Sequence, residues 1–358
     1  AICLPPATPI LARRAGEEAV VTIKELVERF SRGEDWEVYS LSLERGVFEW
    51  KPVTAAVRAK TGMWVRIRTE SGRRLKMTPD HRVPVLRGGR VEVIHARDIR
   101  IGDMIPVAGR VPRSGAVYHF RYQGIYLPLS ADMGRLLGAA LLGNARGRRY
   151  LIPGEYRGVV DSLPFKIPYE EKDGVLKIRS RRFKGLVDAM LEAVKASPFK
   201  LPHYFVRGLG EVLTGKRVAL GDAGLAYAMH YALKTEGYDS VVDEESGAIA
   251  VLGRSEEPLF FERVVSVETE QVLGEDAYDI EVEGNHTFLA ASSIVTGNCT
   301  FHAHDPESVL ARITSPPINA APESLRLITS IVHIARTKTA ARGREEAVRR
   351  VIRIFEIK

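Results

Sequence analysis

At 358 residues and 45% hydrophobic content the chain has apolar material for two or three globular cores, which excludes an intrinsically disordered protein. No apolar run approaches the roughly 20 residues that cross a bilayer. The opening "AICLPPATPI" also lacks the basic-then-apolar layout of a signal peptide, so a cytoplasmic protein without membrane insertion is expected.

The net charge of +7 permits a nucleic-acid partner without requiring one. Four Asn and two Gln against plentiful Arg and Glu is the bias of a thermophile protein. Residue 1 is Ala rather than Met, and the chain is read as a piece of something longer. Residues 3 to 110 read as β-rich. The one clear helix among them is "TIKELVERFSRG": Ile23, Leu26, Val27 and Phe30 share a face, Thr22 caps the start and Gly33 closes it. "MWVRIRTESGRRLKMTPDHRVPVL" alternates apolar and polar residues (Val65, Ile67, then Leu75, Met77) around a Glu70-Ser71-Gly72 turn, the pattern of a hairpin. "ARDIRIGDMIPVAG" is turn-rich and ends in a short apolar strand.

From Arg113 to Arg254 helical periodicity takes over, in "ADMGRLLGAALLG", "RFKGLVDAMLEAVKA", "HYFVRGLGEVL" and "DAGLAYAMHYALKTEG". This span holds 21 Lys or Arg against 15 Asp or Glu, so most of the excess positive charge lies mid-chain. From about 257 to 298 strand patterning returns with acidic turns. The chain thus reads as a β-domain whose halves flank a helical insertion. Residues 299 to 358 are predicted to be α-rich, with helices at "DPESVLARI", "PESLRLITSIVHIAR" and "REEAVRRVIRIFEI".

The two cysteines, Cys3 and Cys299, could form a disulfide or be inert small hydrophobes. Their neighbourhoods point elsewhere, because Asn298 directly precedes the second. An Asn side-chain amide can attack its own carbonyl carbon and cut the chain on its C-terminal side. A thiol can attack the preceding carbonyl and exchange an amide for a thioester, given a proton donor and a polarised peptide. Thr78 and His81, three apart in "TPDH", could both reach one peptide bond, the imidazole protonating a leaving nitrogen. Asp279 and His286 stand in "YDIEVEGNHTF", shortly before Asn298. Singly, Thr-x-x-His is a turn motif and His286 a loop histidine; together they form a set.

That set resembles an intein, a self-splicing element of the Hint fold. "CLPPATPIL" from Cys3 resembles the family's opening block, "GRRLKMTPDHRVPVL" its Thr-x-x-His block, and "ARDIRIGDMIPV" the Gly-Asp turn that follows. "DAYDIEVEGNHTFLA" and "SSIVTGNC" resemble the last two blocks, all in order over roughly residues 3 to 110 and 258 to 299. The resemblance implies that Cys3 makes the first thioester with Ile2, helped by Thr78 and His81. Cys299 then takes the acyl group, and Asn298 cyclises. It further implies that Asp279 tunes the thiols and guides the branched intermediate, while His286 assists Asn298. No cofactor is implied for splicing, and the self partners are the flanking exteins. One departure stands out: the family usually has His before the Asn, and here it is Gly297, which leaves His286 as the main proton source and implies slow cleavage.

The middle is similar to a LAGLIDADG homing endonuclease, the usual passenger in inteins. "LLGAALLGN" and "VRGLGEVLT" would be its central helix pair, whose ends in active members carry Mg²⁺-binding carboxylates. The aligned positions are Gly143 and Leu213, with Glu211 two residues early on a different face, so a nuclease fold without cleavage is expected, and Mg²⁺ only if nuclease activity survives. Arg146, Arg148, Arg149, Arg179, Arg181 and Arg182 could still grip double-stranded DNA phosphates, or form a solvated thermophile surface.

"CTFHAHDPESVLARI" resembles the histidine box (His302, His304) of KlbA-like archaeal type II/IV secretion ATPases. Such ATP-binding hosts assemble as hexamers at the membrane. No phosphate-binding loop is present, so this piece hydrolyses no ATP alone.

The implied architecture is an all-β Hint (horseshoe) splicing domain with an inserted α+β LAGLIDADG-like domain and a short α-rich C-terminal extein segment. Its divisions are 1–2 (N-extein), 3–112, 113–256 (insertion), 257–298 and 299–358 (C-extein). Joining Ile2 to Cys299 restores the host strand, and the Thr8 and Ile10 spacing fits a start at Cys3. A start at Ala1 with direct attack by Cys299 is the rival boundary. A DNA-binding homing endonuclease, or an ATPase fragment carrying an inert intein, are the competing functions.

Overall fold

The computed structural model describes residues 3–145, 149–298, 330–341 and 344–356. The chain divides into two compact units, Ala1–Cys299 and Thr300–Lys358.

The first unit opens with β1 (Pro9–Arg14), β2 (Glu17–Thr22), α1 (Ile23–Ser31), β3 (Glu37–Ser42), β4 (Val47–Thr69), β5 (Arg74–Met77), β6 (Arg82–Arg87), β7 (Arg90–His95) and β8 (Met104–Ala108). A central segment follows: β9 (His119–Tyr122), β10 (Ile125–Pro128), α2 (Ala131–Leu142), β11 (Asn144–Ala145), β12 (Arg149–Pro153), α3 (Arg157–Asp161), β13 (Tyr169–Lys172), β14 (Val175–Ile178), α4 (Arg181–Ala196), α5 (His203–Leu213), β15 (Lys216–Ala219), α6 (Ala223–Lys234), β16 (Tyr238–Asp243) and β17 (Ala248–Arg254). The chain then returns through β18 (Leu259–Val282), β19 (Thr287–Ala290) and β20 (Ile294–Gly297).

The hairpin expected from alternation forms as read: Val65 pairs with Met77 and Ile67 with Leu75, all four buried, and Gly72 supplies the positive φ of the turn. α1 buries Ile23, Leu26 and Val27, and the Thr22 side chain accepts from Glu25 N–H at 3.2 Å. Two long strands shape the unit. β4 pairs first with β3 and then with β18, while β18 pairs first with β8 and then with β4, with register shifts that let the strands bend. β1 lies between β3 and β19, with Ile10 opposite Ala290 and β20 beyond. The two ends of the unit are therefore neighbours in one sheet although nearly 300 positions apart.

In the central segment α2 packs on α5 backbone to backbone. A Cβ at Gly134 would stand 2.1 Å from the Phe205 carbonyl oxygen, and one at Gly208 2.3 Å from that of Ala131. Small residues are what this approach requires. An antiparallel sheet in the order β11-β12-β14-β13 follows α2, and one in the order β15-β17-β16 follows α5. Among the described residues no helix is long and apolar enough to cross a membrane.

The second unit corrects the α-rich expectation for the tail. Its described residues form a hairpin, β21 (Ser330–Ala341) against β22 (Arg344–Glu356), registered from Ser330↔Glu356 to Ala341↔Arg344. Ile331, Val332, Ile334, Thr337 and Thr339 in the first strand sequence, and Val348, Val351, Ile352 and Ile354 in the second, are β-branched, a residue type whose propensity favours extended structure over the helix that the charge spacing suggests. The helix expected at "DPESVLARI" lies outside the described residues, as does most of "PESLRLITSIVHIAR" before β21.

Candidate functional site

Cys3 is 1% exposed and fixed on both sides. Its N–H donates to Thr78 Oγ1 at 2.7 Å, and its carbonyl accepts from Thr78 N–H at 2.9 Å. Leu4 exchanges both backbone bonds with Tyr278, at 2.8 and 2.9 Å. That bridge is antiparallel, so the register carries Cys3 opposite buried Asp279, whose Oδ1 accepts from Ile280 N–H at 2.8 Å.

The "TPDH" turn leaves β5, and His81 donates its backbone N–H to the Thr78 carbonyl at 3.0 Å. The His81 ring is fully buried. Nε2 lies 2.7 Å from Thr296 Oγ1, and Nδ1 has no partner among the described residues. Desolvation holds its pKa down at about 3, so the resting imidazole is neutral. Negative charge developing beside a neutral imidazole in so dry a place would raise its proton affinity as the reaction proceeds.

At the C-terminal end of β20 Asn298 is 1% exposed. Its N–H donates to the His286 carbonyl at 3.0 Å. With the side-chain amide oriented to satisfy both neighbours, Nδ2 donates to the same carbonyl at 3.1 Å and Oδ1 accepts from Val282 N–H at 2.5 Å. His286 turns that carbonyl inward by adopting φ 56°, left-handed for a non-glycine residue, after Gly284 at φ 74°. The contact of His286 with Asn298 thus runs through its backbone carbonyl.

The residue that sequence reasoning missed is Thr296. It is fully buried on β20, two positions before Asn298, and joins the His81 ring to the strand that carries the Asn. A hydroxyl partner 215 positions away in sequence leaves no spacing signal. The departure at Gly297 also acquires a cause. A Cβ there would stand 2.8 Å from the Arg82 carbonyl oxygen and 3.0 Å from Arg82 Cβ, so the family's usual His does not fit this backbone.

Cys299, Arg146, Arg148, His302 and His304 lie outside the described residues. Arg179, Arg181 and Arg182 are exposed and Arg149 half-buried, near the start of α4 and on β12. At the ends of α2 and α5, Gly143 and buried Leu213 supply no carboxylate. A side chain at 143 would meet the Leu151 carbonyl oxygen at 2.1 Å, and Glu211 is paired with Arg135 at 3.0 Å. These residues do not fit a Mg²⁺ ion, and no step is derived through one.

A family model described as the intein splicing domain matches residues 10–298. An uncharacterized protein of Methanocaldococcus jannaschii, MJ0781, is 33% identical over 100 residues, 27% of this chain and 13% of that protein. The DNA-directed RNA polymerase subunit Rpo1C of the same organism is 31% identical over 78 residues, 21% of this chain and 9% of that one. The chain therefore matches only a small part of each relative's length. Among solved structures, an intein from a hyperthermophile aligns at TM-score 0.38 and 14% identity over 82% of this chain and 98% of its own. The transcription factor IIB Mvu mini-intein aligns at TM-score 0.39 and 13% identity over 83% and 100%. With the matched model spanning most of its length, the chain belongs to the intein splicing family, whose mostly-β Hint fold carries out protein splicing.

Proposed function

We propose that the chain excises residues 3–298 and ligates Ile2 to Cys299. Cys3 Sγ attacks the Ile2 carbonyl carbon; the bond from that carbon to Cys3 N breaks, and the nitrogen takes a proton delivered at the His81 ring. Thr78, whose hydroxyl accepts from that same N–H, orients the leaving nitrogen. Cys299 Sγ then attacks the thioester carbon and releases the Cys3 thiol. Asn298 Nδ2 attacks its own backbone carbonyl carbon, breaking the bond to Cys299 N and freeing the amine, which attacks the neighbouring thioester to leave a peptide bond. Asp279, opposite Cys3, tunes the thiols and guides the branched intermediate. His286 assists the Asn step by fixing the amide through its carbonyl.

The observation that carries this reading is the chain of buried contacts Cys3–Thr78 and His81–Thr296, which ties the two splice ends together. Cys3→Ala is expected to abolish thioester formation and Asn298→Ala to arrest the branched species, on gels of warmed protein. Identical behaviour of the two variants refutes the assignment. The bond from Cys3 N to Thr78 favours Cys3 over Ala1 as first residue. The glycine-lined α2–α5 pair supports a LAGLIDADG-like ancestry, and the missing carboxylates at Gly143 and Leu213 support lost cleavage. Salt-sensitive duplex binding through Arg149, Arg179, Arg181 and Arg182 would mark surviving DNA affinity. A cytoplasmic, KlbA-like secretion ATPase remains the proposed host.

A further inference from the structure

The central segment does not merely hang from the splicing strands. On α6, Tyr227, His230, Tyr231 and Lys234 fall at helical spacing on one face, and all are buried. That face is polar, and its His230 and Tyr231 reach the turn at residues 291–293, which feeds directly into β20 and Asn298, while Lys234 bonds the Ala108 carbonyl and Asp239.

His230 Nε2 lies 2.7 Å from Ser293 Oγ, while Nδ1 lies 2.8 Å from Ser240 Oγ on β16. Tyr231 OH donates to the Ala291 carbonyl at 3.3 Å, and Val242 N–H donates to Ser292 Oγ at 3.1 Å. From the splicing side, Arg73 Nε donates to the Ser292 carbonyl at 2.9 Å. The same Arg73 is ion-paired with Glu262 and with Asp239 of β16, and Asp239 also takes Lys234 Nζ at 2.6 Å. Cations and carboxylates buried in this way hold together only as a complete set.

The turn has reason to be held. Ala291 and Ser293 both sit at positive φ, 50° and 64°, a left-handed conformation that non-glycine residues adopt only when their surroundings hold them there. Ser293 is followed at once by the four residues of β20, so the turn sets where Thr296 and Asn298 fall.

We propose that the central segment is a working part of the splicing site: α6, with His230 as its positioning residue, clamps the turn at 291–293 in the form that presents Asn298 for cyclisation. The claim rests on the Asn298 step assigned above and goes beyond it, since it makes the inserted segment necessary to one half of the reaction.

The test uses the full chain and separates the two steps. A Cys3→Ala background isolates cleavage after Asn298, and an Asn298→Ala background isolates dithiothreitol cleavage between Ile2 and Cys3, both followed by intact mass. Ser293→Ala is expected to slow the Asn298 step about tenfold and to change the thiol step less than about twofold. His230→Ala should do the same, and the double variant should be no slower than His230→Ala alone, because the two groups act as one contact. Equal slowing of both steps, or none, overturns the clamp. Should His230→Ala fail to fold, Ser293→Ala, which removes one hydroxyl, decides alone. A parent chain that cleaves at neither bond sinks the splicing reading and this proposal with it; a parent that cleaves while Ser293→Ala cleaves equally fast sinks the proposal only.

Discussion

Thr296→Val isolates the buried contact between the His81 ring and β20, the strand that leads to Asn298. Valine is nearly isosteric with threonine and keeps the β-branched shape that β20 accommodates, so packing is preserved while the hydroxyl is lost. His81 and Thr296 are both 0% exposed, and the contact removed is the 2.7 Å bond to Nε2. Because Nδ1 already lacks a partner among the described residues, the substitution leaves a fully buried imidazole with no fixed orientation or tautomer. An unsatisfied buried polar group costs about 1–3 kcal/mol. If that cost falls on the geometry needed to protonate Cys3 N, the thioester step slows about 5- to 150-fold. The assay is dithiothreitol cleavage between Ile2 and Cys3 in an Asn298→Ala background, timed by intact mass, with Thr296→Ser as the conservative control that restores the hydroxyl. Thr296→Val reacting at the parent rate with an unchanged pH profile would refute the role given to this bond.

Three further outcomes are expected. Gly297→His, which restores the family's usual residue, slows cleavage after Asn298 instead of speeding it, since a Cβ would press on the Arg82 carbonyl at 2.8 Å; faster cleavage would contradict the steric account. Stability falls in acid: the unfolded His81 takes a proton near pH 6.5 while the folded ring resists until about 3, so the contribution is complete above pH 6.5 and is lost as pH drops through that window. At about 1.4 kcal/mol per pH unit roughly 5 kcal/mol is at stake, and buried His230, also held low by desolvation, acts in the same direction. Urea midpoints at pH 7, 5 and 4 measure this slope, which His81→Asn should make shallower; a flat profile contradicts it. Gly208→Ala forces α5 away from the Ala131 carbonyl and should lower the urea midpoint by the equivalent of about 1–3 kcal/mol, whereas an unchanged midpoint would mean that the helices are not in backbone contact.

The proposed site residues were legible because the reaction proposed for them constrains their types: a thiol at each assigned junction, an Asn beside the second, a hydroxyl and an imidazole three apart. Alternation around Glu70-Ser71-Gly72 gave the hairpin, and apolar spacing gave α1, α2, α4, α5 and α6. What could not be read was long-range polar partnership. Thr296 looks like an ordinary strand residue until His81 is beside it, and Ser292 and Ser293 look like loop filler until α6 is packed against them. Gly297 read only as a departure from the family pattern; that a Cβ there would press on Arg82 could not be seen in sequence. The tail misled because its charges recur at helical spacing, while the backbone register that pairs Ile331 with Phe355 and Val332 with Ile354 joins positions that no local window contains.

Intact mass spectrometry of the freshly purified full chain, followed during warming, tests the central claim most directly. The account expects the full-length mass to give way to two species: residues 3–298 ending in a cyclised Asn298, and the ligated product in which Ile2 is joined to Cys299. A chain that keeps its full mass indefinitely at elevated temperature, or that yields only products cut elsewhere, would contradict it.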